Sequence, residues 1–192
     1  MNPAFFARDP VIVARELLGH HVRQDDVVLR ITETEAYRGG LDTASHTMRG
    51  MTPRNAPMFG PPGHAYIYLC YGIHHLLNVV CWPDGRDGAV LIRAAEPVAG
   101  RDTIARRRGG KTGPVQLTGP GKIGAALGLT TAWSGTPMLG GGPVILEMGT
   151  PPVMVLTGPR VGIDYAEAQD RDAPWRFAVA ATPWVSVRKT LS

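Results

Sequence analysis

Two runs of strand-forming residues, 66–71 and 76–82, stand only four residues apart, and a β-hairpin is the simplest structure that accepts them. Both are rich in Tyr, Ile, Leu and Val, which suit a pleated, half-buried surface, and residues 72–75 are short enough to close an antiparallel pair directly. With that turn, Tyr71 faces Leu76 and Tyr66 faces Cys81. Side chains alternate along a strand, so Tyr66, Tyr68 and Cys70 share one face while Ile67, Leu69 and Tyr71 share the other. Tyr71 then sits beside the turn, placed to protrude at the tip. The same register sets Cys70 and Cys81 roughly four residues apart along the pair, about 13 Å at ~3.3 Å per residue, beyond the reach of a disulfide.

The rest of the chain reads the same way. Strands are expected at 27–37, 89–96, 144–148, 153–157 and 175–180, and helices at 9–19, 101–108 and 122–127. The first helix has Asp9 to cap it, Pro10 at its first position and Gly19 to end it. Residues 38–64 are loop-rich. Runs of strands with few intervening helices predict an α+β fold, not a doubly wound parallel sheet. No repeat or composition break divides the 192 residues, which fit one domain. The 24 glycines and 17 prolines fall short of a low-complexity share and point to many ordered turns.

Two cysteines make neither a disulfide framework nor a zinc pattern. The opening MNPAFFARDP lacks a charged segment followed by an apolar core, so no signal peptide is expected. No apolar run has the length of a membrane span, and a cytoplasmic, nucleoid-associated location is expected. The net charge of +4 is compatible with a polyanionic partner. Only Lys111, Lys122 and Lys189 are lysines, so arginine supplies nearly all the positive charge. Arginine binds phosphate bidentately and stacks on planar groups, though composition bias explains the surface arginines equally well.

Three segments carry chemistry. In Glu33-Thr34-Glu35-Ala36-Tyr37, strand alternation puts both carboxylates and the phenol on one face, either a solvated polar face or the wall of a pocket. His46, His64 and the pair His74-His75 raise the question of a metal, but adjacent histidines point to opposite sides and no HExxH spacing occurs. Gly119-Pro120-Gly121-Lys122 is not a P-loop, because Gln116 stands where its first glycine belongs and Ile123 follows the lysine. It either starts a helix or offers backbone N–H groups and a lysine to a phosphate.

Taken together, ITETEAYRGGLDTASH, TPRNAPMFGPPGHAYIYLCYGIHHLLNVV, VLIRAAEP, GPGKIGAALG, PRVGIDYA, WRF and the closing PWVSV resemble, in the same order, the alkyladenine DNA glycosylase family, the 3-methyladenine DNA glycosylases of the mammalian type. The resemblance runs from about residue 10 to 188. It implies a single compact α+β domain built on a curved antiparallel sheet, with surrounding helices and a hairpin that enters the DNA minor groove. It further implies that Glu35 is the catalytic carboxylate. Tyr37, His46 and Tyr68 match the aromatics that sandwich an extruded base, Tyr71 the residue that wedges into the duplex, and Asn78 the residue that discriminates among purines. Arg93 and the backbone carbonyl of Val161 match groups that help Glu35 hold a water. Residues 82–86 and 133–142 depart from the family's pattern and take no role. Glu33 has no family role and is expected to be structural.

The chemistry suits these residue types. A base inside a duplex must be extruded before it is attacked, at a few kcal/mol. Stacking on aromatics contributes ~1–3 kcal/mol per base, and electron-rich rings attract a cationic alkylated purine. Glu35 then stabilises the developing oxocarbenium charge and takes a proton from water. No lysine lies in the Glu35 or Tyr68 segments, so no Schiff base is expected and the product is an intact strand with an abasic site. The implied partner is damaged double-stranded DNA bound by a monomer, with Arg49, Arg54 and Lys122 as phosphate contacts; no cofactor, metal or membrane is called for. Rival readings are a DNA-binding module without catalysis, a His/Glu metal hydrolase and a scaffold protein. An intact Glu35 argues against the first, poor ligand spacing against the second, and the third gives no reason for the Glu, Tyr, His and Asn set.

Overall fold

The computed structural model describes residues 1–83 and 85–192. Two short helices, α1 (Pro3–Phe6) and α2 (Pro10–Glu16), open the chain. Strands β1 (His21–Gln24) and β2 (Val27–Tyr37) follow, then the hairpin β3 (Ala65–Cys70) and β4 (His74–Val80), and β5 (Ala89–Ala99). Helices α3 (Arg101–Arg107) and α4 (Pro120–Leu127) come next. β6 (Ile145–Glu147), β7 (Val155–Gly158), α5 (Ala168–Arg171) and β8 (Arg176–Val179) complete the fold. All strand pairings are antiparallel within one eight-stranded sheet of order β3-β4-β5-β2-β1-β6, with β8 joining β2 to β7. The architecture is α+β, as the spacing of strand and helix signals predicts. Among the described residues no helix is long and apolar enough to cross a membrane.

β2 is the strand from which the site is built. One edge pairs with β5 along its length; the other pairs with β1 over residues 27–30 and then with β8 over 33–35. Leu29 and Ile31 enter the main core with Leu17, Leu18, Leu77 and Ile92. The β2–β5 ladder shifts register three times, once at Val28/Leu29 and twice beside the site. From Ile31↔Ala95 to Glu33↔Ala94, β2 advances two residues while β5 advances one, leaving Thr32 as the extra residue. From Glu33↔Ala94 to Thr34↔Ile92 the excess passes to β5, at Arg93. Bulges of this kind re-aim a side chain out of the regular alternation.

Helices cover the sheet. Asp9 caps α2 by accepting the Val11 N–H at 2.9 Å, with Pro10 leading, but the helix ends at Glu16, earlier than Gly19 suggested. α2 is tied to β2 where the Thr34 hydroxyl donates to the Ala14 carbonyl at 2.7 Å. α4 starts at Pro120 and lies directly on β4, where a Cβ on Gly124 would collide with the His75 carbonyl oxygen. β1 was not foreseen, having Val22 as its single apolar residue; a tight turn with Asp25 at φ +50° returns it to β2.

The hairpin differs from the expected one in register. Cys70 pairs with His74 and Tyr66 with Asn78, so the turn is residues 71–73 instead of 72–75, and the facing of Tyr71 on Leu76 is replaced by Tyr68 on Leu76. The reason lies in the backbone. Tyr71 (φ +50°) and Gly72 (φ +72°) both take left-handed conformations, and the Ile73 N–H donates to the Cys70 carbonyl at 3.1 Å, the sign pattern of a tight type I′ turn. Glycine adopts this readily and a tyrosine does not, so sequence alone favoured the longer loop. Tyr71 still stands at the tip, 90% exposed, with Ile73 beside it. Cys70 and Cys81 are both free.

Candidate active site

The face of β2 that carries Glu33, Glu35 and Tyr37 is turned inward, so the solvated alternative falls away. Glu33 and Glu35 are both fully buried. Glu35 accepts two hydrogen bonds, from the Tyr37 hydroxyl at 3.0 Å on Oε2 and from the Val161 N–H at 2.9 Å on Oε1, and forms an ion pair with Arg93, whose Nη1 lies 3.4 Å from Oε1. An ionised carboxylate is an acceptor only, and every one of these neighbours suits that form. Val161 meets Glu35 through its N–H; the sequence reading looked to its carbonyl.

Glu35 lies in the wall of a cavity of about 480 Å³, within the range of small-molecule sites. Of the residues singled out from the sequence, Glu35, Tyr37, His46, Arg54, Tyr68, Tyr71, Asn78, Arg93 and Val161 all line it. Arg49 and Lys122 do not. Arg49 is exposed in the loop that follows His46, and Lys122 is on α4, where burial first and then Arg108 and Lys111 lower its pKa. Arg54 lies at the rim, donating to the Leu69 carbonyl at 3.0 Å with its guanidinium 5.4 Å from the Tyr68 ring centre.

The aromatic wall is cross-braced. His46 meets Tyr68 edge to face at 4.5 Å between ring centres, and Tyr66 stacks on Tyr68 at 5.4 Å. His46 Nδ1 and the Tyr66 hydroxyl are 3.0 Å apart. Burial, and then the charge of Arg54, hold His46 below the ordinary 6.5, so its ring is neutral at neutral pH. Burial pushes Tyr66 up to about 12 and raises Tyr68 and Tyr37 as well, Tyr37 further through Glu35, so all three phenols keep their protons. Asn78, opposite Tyr66 in the hairpin, donates to the Tyr66 carbonyl at 3.0 Å and presents the rest of its amide to the cavity.

Several further residues support the site. Arg160 is buried, forms two bonds to Asp42 at 2.5 and 2.9 Å, and lies 4.7 Å from the Tyr37 ring centre, fixing that ring from behind. Asn55, also buried, donates to the carbonyls of His46 (2.8 Å) and Gly50 (3.0 Å) and so shapes the loop that carries His46. Tyr165 lines the cavity mouth with its hydroxyl on the Ala44 carbonyl at 3.0 Å. Glu33 accepts from Arg176 at 3.1 Å and from the Ser186 N–H at 2.7 Å, and burial pushes its carboxyl up against the opposing pull of Arg93, Ser186 and Arg176. Arg160 and Tyr165 fall inside the PRVGIDYA stretch, which was the available signal for them. Among the described residues no group of three His, Cys, Asp or Glu converges as metal ligands would.

The profile of the methylpurine-DNA glycosylase family matches residues 4–183. The chain belongs to that family. A DNA-3-methyladenine glycosylase of Arabidopsis thaliana is 55% identical over 98% of this chain and 75% of its own length. A relative from Nitrosococcus oceani bearing a 3-methyladenine DNA glycosylase name is 57% identical over all of this chain and 95% of its own. One from Frankia casuarinae is 46% identical over 95% of this chain and 90% of its own. As a member of the family the protein is a DNA glycosylase of alkylation repair, a hydrolase of N-glycosyl bonds.

Proposed function

We propose that this glycosylase extrudes an alkylated or deaminated purine from duplex DNA and hydrolyses its N-glycosidic bond with a water activated by Glu35, leaving an abasic site. The observation that carries this reading is a buried carboxylate, held by two hydrogen bonds and an ion pair, in the wall of an aromatic-lined cavity large enough for a purine.

The extruded base enters among Tyr37, His46 and Tyr68. Two phenols and a neutral imidazole present electron-rich faces, which attract the positive charge of a purine such as 3-methyladenine. That charge also weakens the bond to the sugar. Asn78, fixed by its bond to the Tyr66 carbonyl, meets the base edge and disfavours the amino group of an undamaged guanine by clash or by an unpaired donor. Tyr71 at the hairpin tip fills the space left in the duplex and offsets part of the unstacking cost, a few kcal/mol.

As the base departs, the sugar acquires oxocarbenium character. Glu35 faces that charge and takes the proton of the attacking water. Tyr37, Val161 and Arg93 hold its oxygens, so little reorganisation accompanies the reaction. Among the described residues no lysine lines the cavity, so the route to a Schiff base and strand scission finds no amine there. Arg54, Arg49 and Lys122 are placed outside the carboxylate's contacts and act on phosphates, Arg54 from the rim of the cavity itself.

The test is release of 3-methyladenine from dimethyl sulfate-treated duplex, and separately of hypoxanthine from a duplex holding one such base, by wild type and Glu35→Gln with EDTA present. Wild type is expected to free the base and leave the strand uncut until alkali is added, while Glu35→Gln binds DNA without releasing base. Full activity of Glu35→Gln would overturn the assignment of the carboxylate, and no release by wild type would overturn the reading as a whole.

A further inference from the structure

The bulge on β5 turns Arg93 toward two glutamates at once: Nε lies 3.2 Å from Glu33 Oε1, and Nη1 lies 3.4 Å from Glu35 Oε1. With these two alone, the guanidinium could tip toward either carboxylate. A third group removes that freedom. The Ser186 hydroxyl accepts from Arg93 Nε at 3.0 Å and donates to Glu33 Oε1 at 3.0 Å, while the Ser186 N–H donates to Glu33 Oε2 at 2.7 Å. Ser186 is anchored in turn by Arg176, which is fully buried, contacts Glu33 at 3.1 Å and reaches the carbonyls of Ser186 and Val187 at 3.4 and 3.5 Å.

A buried ionic cluster of this kind is a poor device for stability, because apolar residues of similar volume serve as well or better. Nothing in the proposed chemistry employs Glu33 or Ser186 directly. Yet both surround Arg93, the one arginine among the described residues that pairs with Glu35, and the PWVSV motif that supplies Ser186 has no other assigned task.

We infer that Glu33 and Ser186 are positioning residues that clamp the Arg93 guanidinium toward Glu35, which makes the C-terminal segment 182–192 part of the active site. The inference rests on the reading of Glu35 as the catalytic carboxylate. Its physical basis is that Arg93 has one plane, and hydrogen bonds to Nε fix that plane and with it the direction of Nη1. Small misplacements of a group facing the reacting centre slow reactions severely.

The experiment is a double-mutant cycle. Single-turnover release of 3-methyladenine is measured for wild type, Ser186→Ala, Arg93→Lys and the double variant, beside affinity for a duplex carrying a tetrahydrofuran abasic analogue. Ser186→Ala is expected to slow release roughly tenfold with affinity unchanged within about twofold, and to have no further effect in Arg93→Lys, whose side chain has no Nε–H to align. An unchanged rate, or the same loss in both backgrounds, overturns the clamp. Where Ala impairs folding, Ser186→Thr against Ser186→Val reads the hydroxyl at constant shape: Thr faster than Val supports the clamp, and equal rates overturn it. Wild-type release lost in Glu35→Gln keeps the underlying reading standing whichever way the cycle falls; release retained in Glu35→Gln overturns both.

Discussion

Tyr37 has two duties that a single substitution separates. Its ring lines the cavity, and its hydroxyl donates to Glu35 at 3.0 Å. Tyr37→Phe keeps the stacking surface and the packing against Arg160, and removes only the donor. A hydrogen bond to a charged group contributes about 1.5–3 kcal/mol, so single-turnover base release is expected to fall roughly tenfold to a hundredfold. Affinity for lesion-bearing duplex should stay near wild type, since the face that meets the base is intact. An equal loss in rate and affinity would place the hydroxyl on the DNA instead of on the carboxylate.

At the scale of elements, the β3–β4 hairpin shows a conflict between local stability and the proposed task. Tyr71 is in a left-handed conformation that costs an L-residue about 1–2 kcal/mol, and its side chain is almost wholly in solvent. Burial of the Tyr71 side chain does not offset that strain, which is the pattern of a functional position. Tyr71→Gly is therefore expected to leave stability unchanged or raise it by up to about 1 kcal/mol in urea unfolding, after allowing for glycine's greater chain entropy. The same variant should release base from duplex DNA at least roughly tenfold more slowly, because the wedge is gone. Lower stability with normal release would make Tyr71 a structural tip only. The hairpin as an element was legible in the alternation of Tyr66, Tyr68 and Cys70, and those residues do share the cavity face. Its register was not, because the φ angles of Tyr71 and Gly72 are set by the whole pair and not by the four residues around the turn.

Over the whole molecule the charge of +4 is carried mainly by arginines, many already committed to partners. Arg160 and Arg176 are buried in ion pairs, Arg23 and Arg30 pair with Glu147 and Glu96, and Arg93 faces the two glutamates. Net charge therefore overstates what is free to meet DNA. Arg49, exposed beyond His46, and Lys122, beside Arg108 and Lys111, are the better candidates. Binding constants plotted as log K against log salt should have a slope of about −0.9 for each phosphate contacted. Arg49→Gln and Lys122→Gln are each expected to make that slope shallower by about one such contact while the rate for bound DNA stays the same. An unaltered slope removes the residue from the phosphate-binding surface.

The sequence by itself determined most of the elements, α1, β1 and α5 excepted, and through the family's motifs most of the cavity's lining. Strand alternation is a local property with a period of two, so Glu33, Glu35 and Tyr37 could be placed on one face, and the hairpin residues on theirs, before any partner was known. Which face turns inward, and what meets it, was decided by tertiary structure. Val161 reaches Glu35 across 126 residues of chain, and Ser186 reaches Glu33 across 153. The two bulges that aim Arg93 exist only in the pairing of β2 with β5, since an extra residue is defined by its partner strand and leaves no mark in either strand alone. Glu33 could be read as structural from the sequence, but its link to Arg93 required the C-terminal segment to be folded beneath the site. Local periodicity and the family's motifs thus supplied the candidate groups, and long-range closure of the sheet and the C-terminus set the directions in which they point.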